Sequence, residues 1–120
     1  MTLKHALIVA AALAATFTVL PAQADETGLA SMHDWVRIGR KVCYTEHTHY
    51  ASSNGHRSKR AALSAAITDW QEFTAFEYGT SWAYFNRANA RRKSCSRQAS
   101  GWSCSIQARP CRRRSVSYTH

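Results

Sequence analysis

The chain has 120 residues and a formal net charge of +9, from 16 Lys and Arg against 7 Asp and Glu. This length is enough for one domain and excludes a multidomain architecture. The excess of positive charge favours acidic partners and bears on solubility, but it does not determine the fold.

The first 24 residues have the pattern of a signal peptide. Lys4 gives a positive start, residues 6–20 are an apolar run, and Ala22-Gln23-Ala24 offers small residues to a signal peptidase. A transmembrane anchor is the alternative, but this run is shorter than the about 20 residues that a span needs, and Pro21 ends it. We therefore predict cleavage between Ala24 and Asp25, a periplasmic or secreted location, and no transmembrane segment in the mature chain.

Four cysteines follow this leader: Cys43, Cys95, Cys104 and Cys111. The spacings among the last three differ from the Cys-x2-Cys of structural zinc sites and of thioredoxin-like redox centres. In an oxidising compartment the even count predicts two disulfides, with three possible connectivities. One is a direct Cys95–Cys104 bridge between neighbouring strands, where such bridges are often strained. We favour Cys43 bonded into the hairpin, with Cys111 closing the remaining pair.

Alternating polarity predicts that residues 35–50 form the first strand, with a bulge at Gly39. Its buried face would carry four apolar side chains: Val36, Ile38, Val42 and Tyr44. Residues 51–57, with Asn54-Gly55 at their centre, have the composition of a turn.

Residues 58–78 predict a long helix, since they are rich in Ala and lack both Pro and Gly. Ser58 is suited to cap its start and Gly79 to end it. Its buried face would carry Leu63, Ala66, Ile67, Trp70, Phe73 and Phe76. A second, shorter helix is predicted over residues 81–90, with Trp82 and Phe85 facing inward.

The segments on either side of Ala99-Ser100-Gly101 predict a β-hairpin that Pro110 ends. The predicted fold class is α+β: a small disulfide-stapled domain with the order β-α-α-β-β. A long and a short helix pack on one three-stranded antiparallel sheet. Residues 25–111 would form this single domain and residues 112–120 a basic flexible tail.

Part of this pattern resembles a known group of proteins. Trp70 is followed by Tyr78-Gly79 and Trp82, and the later Cys-x8-Cys segment carries Trp102 two residues before its second cysteine. Pro110-Cys111 closes the segment. In order and spacing, residues 60–111 resemble small exported bacterial proteins with a W…YG…W helical segment followed by a C…W-x-C…P-C hairpin. The resemblance implies a stapled α+β domain.

Three basic clusters are candidates for a polyanion-binding site. They are Arg57, Lys59 and Arg60 at the helix start, and the two triplets Arg91, Arg92, Lys93 and Arg112, Arg113, Arg114 around the hairpin. If the hairpin closes, the two triplets would lie along one sheet edge, and arginine pairs with phosphate or sulfate in a bidentate way. We predict a non-enzymatic protein that binds an acidic polymer or envelope surface: lipopolysaccharide, glycan or nucleic acid. A solubilising surface with a structural role is the alternative.

The segment from Glu46 to His56 supports a second function. His47 and His49 share a strand face, and a third ligand such as His56 would complete a copper, nickel or zinc site. A small secreted hydrolase is a related alternative, in which Glu46, His47, His49 and Arg97 converge to move protons. Glu72 and Glu77 fit a solvated helix face. Without a phosphate loop or nucleophile elbow in the sequence, we assign no catalytic residue, no metal and no cofactor.

Overall fold

A computed structural model describes residues 29–114; the predicted signal peptide and residues 115–120 lie outside the described residues. The helix is α1 (Lys59–Tyr78), and the strands are β1 (Trp35–Ile38), β2 (Lys41–Tyr44), β3 (His49–His56), β4 (Asn89–Gln98), β5 (Gly101–Arg109) and β6 (Cys111–Arg113). Short 3-10 turns occur at Ala30–Met32, Thr80–Trp82 and Phe85–Arg87. The predicted α+β class is confirmed. Among the described residues, no helix is both long and apolar enough to cross a membrane.

The strands form two antiparallel sheets, and the prediction of a single sheet is wrong. The first sheet has the order β1-β2-β6 and the second β3-β5-β4. Residues 35–50 do not form one strand, because the chain reverses at Gly39, whose φ of +61° is readily adopted only by glycine. β1 therefore folds back on β2, with Val36 opposite Cys43.

Pro110 joins the two sheets. β5 ends at Arg109 in the second sheet, and β6 begins at Cys111 in the first. A proline has no N–H to donate to a strand ladder, so the hairpin ends here as predicted. The chain then continues as β6, with Arg112 opposite Val42, although we assigned residues from 112 onward to a flexible tail.

β3 occupies the segment predicted to be a turn. Ala51 and Ser53 point toward the helix, and the Ser53 hydroxyl donates to the Ala62 carbonyl at 2.5 Å. Asn54-Gly55 forms an irregularity in the pairing with β5 instead of a reversal, with Gly55 at a φ of +71°. Small side chains alternating with exposed ones fit a strand that lies closely beneath a helix.

The long helix is confirmed, including both of its ends. The Ser58 hydroxyl accepts from the Ala61 amide at 3.0 Å, and the Gly79 amide donates to the Ala75 carbonyl at 3.0 Å. The buried face is Ala62, Ala66, Trp70, Thr74 and Tyr78, one residue in four. Our predicted face is rotated from this one, since Phe76 is 82% exposed.

The predicted short helix is replaced by two 3-10 turns, although Trp82 and Phe85 are buried as predicted. Trp70 and Phe85 lie between α1 and the second sheet with Ile106. Trp82 belongs to a second cluster, in which the end of α1 meets the first sheet. The domain therefore has two small cores joined along the helix.

Each sheet contains its own disulfide. Cys43–Cys111 joins β2 to β6, and Cys95–Cys104 joins β4 to β5, both with Cα atoms 4.1 Å apart. The predicted involvement of all four cysteines is confirmed, but the favoured pairing is wrong. β2 pairs with β6 and not with the hairpin, so the strand register places Cys43 opposite Cys111.

Candidate functional site

Titratable side chains converge where the last turn of α1 meets the first sheet and the start of β3. We call this group the histidine cluster: His33, His47, His49, Thr74, Glu77 and Tyr78. It combines a loop, a strand and a helix end, so its members are far apart in the chain. Its centre is His49, which is 3% exposed.

Both ring nitrogens of His49 have partners. Nδ1 lies 2.8 Å from the Thr74 hydroxyl. Nε2 lies 2.9 Å from Nε2 of His47 and 3.1 Å from a carboxylate oxygen of Glu77. The His47 imidazole and the Glu77 carboxylate therefore both approach Nε2 of His49, while Thr74 lies on the opposite side of the His49 ring.

The local sequence explains this convergence. His49 is the first inward-facing residue of β3, in line with the buried Ala51. Thr74, Glu77 and Tyr78 lie three and four positions apart, so they share one face of the last helical turns. The end of α1 thus carries polar groups at the position where β3 presents a histidine.

Aromatic rings surround the cluster. The His33 ring stacks on His47 with centroids 4.6 Å apart, and Nε2 of His33 lies 3.2 Å from the Tyr78 hydroxyl. Tyr44 stacks on Trp82 at 4.4 Å, and its buried hydroxyl has no hydrogen-bond partner among the described residues. These contacts fix the orientation of His47, and they leave an unused phenol group beside the cluster.

Burial controls the protonation of the cluster. The pKa of His49 is lowered to about 4: burial is the largest cause, the nearby His47 acts in the same direction, and Glu77 opposes both. Burial and then His33 lower the pKa of His47. Burial raises the pKa of Tyr44 and of Tyr78. At neutral pH both imidazoles are therefore uncharged, and their nitrogens are able to take part in hydrogen bonding, proton transfer or metal ligation.

A shallow depression of about 210 Å³ opens beside the cluster. Its lining consists of Met32, His33, Asp34, Thr45, Glu46 and His47. Asp34 and Glu46 make this side of the domain acidic, in contrast to the chain as a whole. His47 is one of the lining residues, so this depression connects it to solvent.

The structure brings together only part of the predicted histidine site. His47 and His49 are in contact, but His56 lies at the other end of β3, about 20 Å away at the usual rise of a strand. Arg97 lies opposite Trp102, at that same far end, so the predicted convergence of Glu46, His47, His49 and Arg97 does not occur.

Sequence reasoning missed Glu77, which we assigned to a solvated helix face and which instead contacts His49. It also missed Thr74, because the rotated helix face placed Phe73 inside. One signal was available: Thr74 lies four residues after Trp70 and four before Tyr78. A polar side chain within a buried stripe needs a hydrogen-bonding partner, and a nearby histidine supplies one.

The second candidate region is the other end of the first sheet. We call it the basic surface: Arg37, Arg40, Lys41, Arg112, Arg113 and Arg114. Arg113 lies opposite Lys41, and the Arg114 amide donates to the Arg40 carbonyl at 2.9 Å. The guanidinium of Arg112 lies over the Trp82 ring, 5.2 Å from its centroid. The other four arginines are exposed.

The remaining basic residues lie elsewhere. Arg91, Arg92 and Lys93 belong to β4, where Arg92 is opposite Gln107 in the second sheet. The two triplets therefore lie in different sheets and not along one edge, because the chain leaves the second sheet at Pro110. Arg57, Lys59 and Arg60 are exposed around the start of α1.

An apolar edge adjoins the basic surface. Trp35, Val36 and Ile38 are all exposed on β1, and Trp35 retains half of its accessible area. β1 is an outer strand of the first sheet. Three large apolar side chains and Arg37 therefore lie along one exposed strand, with Ile38 beside the Gly39 turn and Trp35 at the other end of the strand.

Comparison with protein-family models, curated proteins and solved structures finds no match to this chain. The resemblance over residues 60–111 therefore stays a prediction.

Proposed function

We propose that this protein is exported and binds an anionic lipid surface without catalysing a reaction. The observation that carries the proposal is the basic surface, which is assembled from three strands beside an apolar edge. Two disulfides support a location in an oxidising compartment. The periplasm or the cell exterior, as expected from the signal peptide, is such a compartment.

Charge supports an anionic partner. The strands of the first sheet carry Arg and Lys but no Asp or Glu. The nearest acidic residues in sequence, Asp34 and Glu46, flank the other end of the β1–β2 hairpin. Positive charge is therefore concentrated around the Gly39 turn, where exposed guanidinium groups are able to form bidentate hydrogen bonds with phosphate.

The apolar edge favours one class among the acidic partners. Glycans and nucleic acid backbones offer no acyl chains to Trp35, Val36 and Ile38. A lipid with a phosphorylated head group offers both phosphate and hydrocarbon, and tryptophan suits the boundary between them. We therefore favour lipopolysaccharide or another anionic lipid over glycan and nucleic acid.

The experiment measures binding of the purified oxidised protein to lipopolysaccharide-containing vesicles, neutral vesicles, heparin and DNA over a salt series. The test variant is Arg40→Ser/Arg113→Ser/Arg114→Ser. The matched control is Arg57→Ser/Lys59→Ser/Arg60→Ser, which removes the same charge at the far end of a helix about 30 Å long. We expect binding of the test variant to anionic vesicles to be weaker and less salt-dependent, since fewer counterions are released.

Trp35→Ala separates lipid from polymer as the partner. It should weaken binding to anionic vesicles and leave the affinity for heparin unchanged, because only the vesicle contains an apolar phase. Equal losses in the two charge variants would contradict a localised surface. Absence of binding to anionic vesicles at low salt would contradict the proposal and favour a solubilising role for the arginines.

A further inference from the structure

We propose that His47, His49 and Glu77 bind one zinc ion. This site is independent of the proposed lipid-binding surface, with which it shares no residue. It differs from the predicted histidine site in its third ligand, which comes from the helix and not from His56. The three ligand atoms all lie within 4.8 Å of one another.

The distances fit a common ion. Ligand atoms placed 2.0–2.2 Å from a tetrahedral zinc ion are roughly 3.4 Å apart. His49 Nε2 lies 2.9 Å from His47 Nε2 and 3.1 Å from the Glu77 carboxylate, and all three ligand atoms lie within 4.8 Å of one another. The two short pairs must open by a few tenths of an ångström, and the His47 and Glu77 atoms must approach each other by about 1.4 Å at most, to admit the ion. Two imidazoles and one carboxylate form a zinc-type donor set that leaves a coordination position for water.

The outer contacts suit a metal ligand. Nδ1 of His49 lies 2.8 Å from the Thr74 hydroxyl, which is a suitable acceptor for the Nδ1 proton. With the proton on Nδ1, the lone pair of Nε2 points toward His47 and Glu77. Ligating histidines characteristically donate their other ring N–H in this way. Stacking on His33 fixes the ring plane of His47.

The surroundings attract a cation. The depression beside His47 is lined by Asp34 and Glu46, and the Glu77 carboxylate contributes a further negative charge. The basic surface lies at the opposite end of the first sheet. A divalent ion therefore has an acidic route to the ligands in a chain that is otherwise strongly positive.

A hydrogen-bonded network without metal is the competing explanation. Two neutral imidazoles and a carboxylate satisfy one another through shared protons at these same distances. The two explanations differ in stoichiometry: a site binds one zinc ion per chain, whereas a network binds none. They also differ in which histidine signals respond to zinc.

The experiment uses tag-free oxidised protein that has been treated with chelator and dialysed. Calorimetric titration with Zn²⁺ should reach one ion per chain, and proton NMR should show shifted ring signals of His47 and His49 with those of His56 in place. His47→Gln and Glu77→Gln should each weaken binding more than the about 10–100-fold typical for loss of an outer-shell partner. His56→Gln, which removes a histidine at the far end of β3, should bind as the unaltered protein does.

Melting curves without metal show whether each variant is folded before its affinity is compared. The proposed site would be overturned if His56→Gln lost as much zinc affinity as His47→Gln. It would also be overturned if zinc shifted the NMR signals of all the histidine rings. Absence of saturable zinc binding would overturn it as well. Parallel titrations with Cu²⁺ and Ni²⁺ test the choice of metal. The assignment of zinc fails if Cu²⁺ or Ni²⁺ saturates the site and Zn²⁺ does not.

Discussion

The two ends of the first sheet differ in the way their side chains are assembled. At the Gly39 end, long cations project from neighbouring strands, and four of the six are exposed. At the other end, a loop, a strand and the last turns of α1 surround His49, which is almost wholly buried. A surface for anions needs only many flexible charges close together, whereas a site for a cation needs a few groups held in one geometry.

This difference determines the expected cost of substitution. The exposed side chains at the basic end are hydrated in both the unfolded and the folded protein. Their removal should therefore alter binding more than folding. Groups at the histidine end replace water with protein partners. Removing one of them leaves a buried polar atom without a partner, which costs about 1–3 kcal/mol.

The largest effect on stability is expected from the disulfide that joins β2 to β6 between the two ends of the first sheet. Cys43→Ser/Cys111→Ser removes a disulfide with a sequence separation of 68, whereas the Cys95–Cys104 separation is 9. The loop-entropy relation gives losses of about 4 kcal/mol for the first bridge and about 3 kcal/mol for the second. Urea denaturation of both double variants measures the difference. Equal losses would indicate that chain entropy does not dominate.

A smaller effect is expected at the histidine end. Thr74→Val keeps the shape of the side chain but removes the hydroxyl that contacts Nδ1 of His49, so unfolding should become easier by about 1–3 kcal/mol. Thr68→Val, at an exposed position of the same helix, is the matched control. Thermal melting of both variants without metal makes the comparison. A loss as large in Thr68→Val would point to helix propensity as the cause.

The smallest effect is expected at the basic end. Arg113→Ser/Arg114→Ser alters exposed side chains, so the free energy of unfolding should change by no more than about 0.5 kcal/mol. Because the cations repel one another, removing two of them should slightly increase the free energy of unfolding, and the increase should be larger at low salt. Melting at two salt concentrations measures it. A destabilisation above 1 kcal/mol, on the order of a lost internal hydrogen bond, would show that the arginines hold the sheet together.

Local signals in the sequence predicted the local structure well. Ser58 and Gly79 mark the two ends of α1, and the Gly101 hairpin is present. The division into two sheets was missed, because a single Gly39 reads equally as a bulge or as a reversal. The disulfide pairing depends on which strands are neighbours, which no local pattern reveals.

The candidate site was predictable only in part for the same reason. The spacing of His47 and His49 already identified two of its groups. To predict Glu77 as a member of the site, one must know how α1 is rotated about its axis, and packing sets that rotation. Phe73 and Phe76 suggested one face by hydrophobicity, while Thr74 and Tyr78 occupy the buried face through their polar partners in the fold.

The passage of the chain through Pro110 also sets an order of assembly. β1 and β2 come first along the described chain, but their sheet is completed only by β6, the last described strand. We expect the β4–β5 hairpin, whose cysteines are 9 residues apart, to close first, because short loops close faster than long ones. Docking of β6 then positions Arg112 and Arg113 and allows Cys43 to meet Cys111. A chain that lost its final described strand would keep the helix on its hairpin and leave the earliest strands without their partner.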